Sequence, residues 1–111
     1  MREDVERRLL DRMEGAAAAT EGRSTAVSTA LLVGFDFAVR EGFLCILGAP
    51  PAGAERDRLA EMLGAGTAGA SPVLGRVLAA AWRAALAAVA DGADPQEARA
   101  ALVAFELRIP P

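Results

Sequence analysis

Apolar residues recur at helical spacing along most of the chain, and the polar residues between them mark out about five helices. From Arg2 to Ala19, Val5, Leu9, Met13 and Ala16 or Ala17 stand three or four apart while Glu and Arg fill the other faces. That spacing predicts an amphipathic first helix covering the core from one side. Thr20 to Arg23, with Gly22, is a break, and Ser24 can cap the helix that follows.

Residues 24–47 are apolar on nearly all sides, except for a narrow stripe of Thr25, Thr29, Asp36 and Arg40. A helix of this kind has to be surrounded by other helices, so it is predicted at the centre of the fold. Val33, Phe35, Phe37, Val39 and Ile46 would also suit a pair of strands, but the length and the four-residue polar spacing favour helix, with Gly42 as a kink or stop.

Gly48 to Gly53, with Pro50 and Pro51, is the clearest loop, because a proline pair cannot continue a helix. A third helix is expected from Ala54 to Leu63, stopping at Gly64, and Gly64 to Ala70 reads as a small, mobile linker. Ser71-Pro72 starts a fourth helix running to about Ala90, since Ser can cap and Pro suits the first helical position. Asp94-Pro95-Gln96-Glu97 starts a fifth, running to about Arg108 and burying Ala98, Ala101, Leu102 and Phe105. The expected fold class is therefore all-α: one domain over residues 1–111, a compact bundle of about five helices around the apolar helix 24–47.

Composition changes this picture mainly by exclusion. With 53% hydrophobic and 24% charged residues, the chain has enough apolar material for one core. A net charge of −3, with Arg interleaved among acids, leaves no electrostatic footprint for nucleic acid and no polybasic segment for anionic lipid. Asp36, Arg40 and Glu41 interrupt the apolar stretch Ala26 to Leu47, which argues against a membrane span. The charged run Arg2 to Arg12 is no leader peptide, and the single cysteine, Cys45, cannot pair internally, so a cytoplasmic location is expected. Every cation is Arg and about a quarter of the residues are Ala, a GC-rich codon signature suggesting a bacterial source.

The chain has no His, Lys, Tyr or Asn, which removes the commonest general base, metal ligand, Schiff-base amine and phosphate-cradling lysine together. No cofactor or metal is expected. Cys45 has no His or Lys to activate it and reads as a small buried residue. The acids near Glu3 and Glu55 alternate with Arg and read as solvated helix faces.

Three patterns remain as interface or ligand candidates. Ala26, Ala30, Gly34, Ala38 and Gly42 recur every fourth residue and form a ridge of small side chains that would admit another helix at close range. Leu74, Leu78, Trp82 and Leu86 form a complementary ridge of large ones, so the two ridges are expected to meet inside the chain or across a dimer. Asp36 and Arg40, four apart with the acid first, are expected to pair and to be half-buried. The function that follows is a non-enzymatic module binding another protein, most simply a second copy of itself. The alternatives are a bundle that binds a small apolar or acyl-chain ligand, with Phe35, Phe37, Phe43 and Met62 lining a cavity and Arg40 fixing an anionic end, and a small enzyme subunit using Asp36 or Glu41 as acid or base.

Overall fold

The computed structural model describes residues 2–52, 56–67 and 70–106, and its described residues form six α-helices and no strand. They are α1 (Arg2–Ala18), α2 (Arg23–Glu41), α3 (Leu44–Gly48), α4 (Arg58–Gly66), α5 (Pro72–Ala90) and α6 (Pro95–Glu106). The expected all-α bundle is what the chain forms, with α2 in contact with all five other helices. The third helix, expected from Ala54, starts only at Arg58, with Arg56 and Asp57 before it; Ala54 and Glu55, and the expected end of the fifth helix at Leu107 and Arg108, lie outside the described residues.

The expected central helix is two helices. Gly42 takes the left-handed conformation (φ 77°) that a side chain resists, and the Phe43 N–H donates to the Ala38 carbonyl at 3.0 Å, closing α2. The chain turns there, so α3 does not continue the phase of α2. Leu47 is driven inward, whereas Cys45, expected to be buried, is an exposed free thiol. At the other end α2 starts at Arg23, with Gly22 and not Ser24 in the cap position.

Val5, Leu9, Leu10 and Met13 are the buried face of α1, which lies along α2. Gly34 is the point of closest approach: a Cβ there would stand 2.7 Å from Met13 Sδ. At Gly34 the small-residue ridge of α2 is therefore filled from within the chain by α1. Trp82 does reach α2, fully buried, with its indole N–H donating to the Leu31 carbonyl at 3.1 Å. Gly34→Leu should overpack the α1–α2 contact and lower folding stability by about 1–3 kcal/mol, read from urea unfolding midpoints. Any self-association should be unchanged by it.

α5 packs mainly against α4 and α3. The α4–α5 crossing rests on two glycines. A Cβ on Gly75 would stand 2.6 Å from the Gly64 Cα and would strike the Ala60 carbonyl oxygen, and one on Gly64 would stand 2.8 Å from the Ser71 carbonyl oxygen. Gly64 was expected to stop the helix. Instead α4 runs through it to Gly66, and Thr67 closes the end, its hydroxyl donating to the Gly64 carbonyl at 2.7 Å and accepting from the Ser71 N–H at 3.1 Å. The expected mobile linker is thus, at Gly64 and Thr67, buried and hydrogen-bonded.

Asp57 caps α4 by accepting the Ala60 N–H at 3.1 Å, and the same carboxylate grips Arg83 of α5 through two bonds of 2.7 and 2.8 Å. This fork ties the start of α4 to the middle of α5. The Arg83 side chain is only 11% exposed, and its Nε has no partner among the described residues.

Candidate functional site

The C-terminal half of α2 and the first turns of α6 diverge to leave an open groove of about 480 Å³, within the usual range of ligand pockets. Helical spacing sets its walls. Phe35, Asp36, Val39 and Arg40 fall at i, i+1, i+4 and i+5 on one side of α2, while Pro95, Gln96 and Arg99 line up on the facing side of α6. Val39 and Pro95 supply the accessible apolar surface above the buried Phe35, and the charges stand at the rim.

Asp36 does not pair with Arg40 as expected. Arg99 takes it with a two-pronged grip, Nε to Oδ1 at 3.0 Å and Nη2 to Oδ2 at 3.2 Å, because α6 presents a planar fork across the groove where a residue one turn along α2 cannot. Arg40 is left with Glu41, Nε to Oε2 at 4.0 Å, and Glu41 is itself bonded by Arg8 of α1 at 3.1 Å. Both Asp36 and Arg40 are exposed, where half-burial was expected.

The aromatic residues expected to share one cavity are divided between places. Phe35 lies under the groove, whereas Phe37 and Phe43 lie 6.0 Å apart on another side of α2, under the guanidinium groups of Arg8 and Arg12. Met62 borders a separate apolar cleft of about 160 Å³ with Ala26, Val27, Ala30 and Leu63, between α1, α2 and α4. Of the six candidate residues, the structure brings together only Asp36 and Arg40, at the groove. Ala30, Gly34, Ala38 and Trp82 are buried in the monomer, so none of them offers a surface to a partner.

A second surface went unread in the sequence. Val73 and Val77 of α5 are 67% and 46% exposed, and they are the exposed large hydrophobic residues of the described chain. Ala80, Ala84 and Ala87 continue from them on the outside of the helix, giving a 4-3-4-3 apolar seam interrupted only at its flank by Arg76. The signal is present in the spacing, but it is weaker than that of the bulkier inward ridge of Leu74, Leu78, Trp82 and Leu86 on the other face.

Elsewhere the surface charges neutralise one another. The exposed Glu61 is held below its ordinary carboxylate range chiefly by the hydrogen bonds it accepts from Arg56, whose own pKa is raised by the same contact. No group of three or more His, Cys, Asp or Glu side chains among the described residues is placed to hold a metal ion. The chain matches no known family model, no curated protein and no solved structure.

Proposed function

We propose that the protein is a non-enzymatic helical module that self-associates through the outer face of α5. The observation that carries this reading is the seam Val73, Val77, Ala80, Ala84 and Ala87, an apolar strip about 20 Å long on the solvent side of a helix whose other face is already filled. An antiparallel two-fold pairing suits it best. The valine end of one copy then meets the alanine end of the other, large against small, and the helix dipoles oppose. A parallel pairing would set valine on valine and leave the alanine ends apart. One pair of helices buries an area at the small end of specific interfaces, so the dissociation constant should be micromolar.

Protein, and not lipid, is the partner this face suits. By length and composition α5 is long and apolar enough to cross a membrane, yet Arg83 near its middle is engaged with Asp57, and stripping that pair in hydrocarbon would be costly. The exposed thiol of Cys45 fits a reducing, cytoplasmic setting, where it would stay unoxidised. The lack of His and Lys supports a binding role over catalysis.

Val77→Glu tests the reading, because it places a charge in the centre of the proposed contact on a position the fold leaves exposed. The variant should keep its helix content by circular dichroism and lose at least about tenfold in dimer affinity by light scattering across a dilution series. Equal association by variant and wild type would remove α5 as the interface.

A further inference from the structure

We propose that the groove between α2 and α6 binds a small organic monocarboxylate, its oxyanion held by Arg40 with Gln96 and its hydrocarbon part resting on Val39 and Pro95. The groove is open, about 480 Å³, and its lining divides into a charged rim and an apolar floor. Such a division fits a ligand with one anionic end and a short tail.

The charges select the anion. Arg40 and Arg99 against Asp36 leave the groove with one net positive charge among its lining residues. Arg99 already grips Asp36, whereas the contact of Arg40 with Glu41 is long and uses only Nε. Its two terminal nitrogens have no partner among the described residues, and they form the edge that a carboxylate accepts in parallel. The fixed Asp36 carboxylate beside them disfavours a dianion, and a bare inorganic ion would leave the apolar surface of Val39 and Pro95 unused. A monocarboxylate satisfies both constraints.

No residue of α5 lines the groove, so this inference stands or falls separately from self-association. The test is a titration of the isotope-labelled protein, followed by amide chemical shifts, with hexanoate, 1-hexanol and inorganic phosphate in turn. Hexanoate should move the amides of residues 35–40 and 96–99 saturably, with a dissociation constant of about 1 mM or tighter. 1-Hexanol and phosphate should each bind at least about tenfold more weakly, since one lacks the charge and the other the tail. Arg40→Gln changes an exposed side chain, so it should leave the rest of the spectrum intact and weaken hexanoate about tenfold. The proposal fails if hexanoate gives no saturable shift, if hexanol or phosphate equals it, or if Arg40→Gln binds as well as wild type.

Discussion

Gly75→Ala should destabilise the protein by about 3 kcal/mol, a large fraction of the roughly 5–15 kcal/mol that holds a domain of this size together. Helix propensity alone predicts the opposite sign, because Ala is favoured over Gly by up to about 1 kcal/mol inside a helix. The clash outweighs it. The added methyl would meet the Ala60 carbonyl oxygen and the Gly64 backbone, and backbone atoms of a packed helix cannot rotate aside as a side-chain end can. α4 and α5 would have to separate along their whole crossing. Gly15→Ala is the matched control: a Cβ there meets nothing within 4 Å on the exposed side of α1, so it should stabilise by roughly 0.5–1 kcal/mol. Denaturant unfolding of the two variants should give shifts of opposite sign.

The second large effect is expected at the Asp57–Arg83 fork. Asp57→Ala removes both partners of a guanidinium that is almost entirely buried, and it removes the cap of α4. Leaving a buried charge unpaired costs about 3–5 kcal/mol, and losing a cap costs about 1 kcal/mol. The Asp57 side chain is 29% exposed, so water can enter and relieve part of this, and the total expected is about 3 kcal/mol. Arg83→Met should cost less. It replaces the guanidinium with an apolar side chain of similar reach and leaves a carboxylate that water can partly solvate, with its capping bond intact. In a double-mutant cycle, the loss in the pair should fall short of the sum of the two single losses. Equal costs for the two single variants would show that the fork is held by something other than burial of the arginine.

What the sequence made legible was whatever is decided within a turn of helix. Ser71-Pro72 begins α5 as its chemistry predicts, with Ser71 Oγ accepting the Leu74 N–H at 3.1 Å. The inward faces of α1 and α5 follow from apolar spacing alone. What escaped is decided by residues far apart in the chain. Asp36 had a favourable partner at Arg40, yet it binds Arg99, 63 positions away, because only the tertiary arrangement brings that fork into range. Gly64 resembles a helix stop, and its use as half of a glycine-on-glycine crossing is visible only once Gly75 is seen opposite it. Phe35 and Phe37, two apart, point to opposite sides of a helix, so local spacing alone keeps them from lining one cavity. Cys45 moved to the surface because Gly42 ended α2 and reset the phase of the residues beyond it.

Self-association through α5 is the claim on which the functional account rests, and sedimentation equilibrium of the wild-type protein from about 1 to 200 µM tests it most directly. A monomer–dimer equilibrium with a micromolar dissociation constant is the predicted result. A single monomeric species at the highest concentration would contradict it.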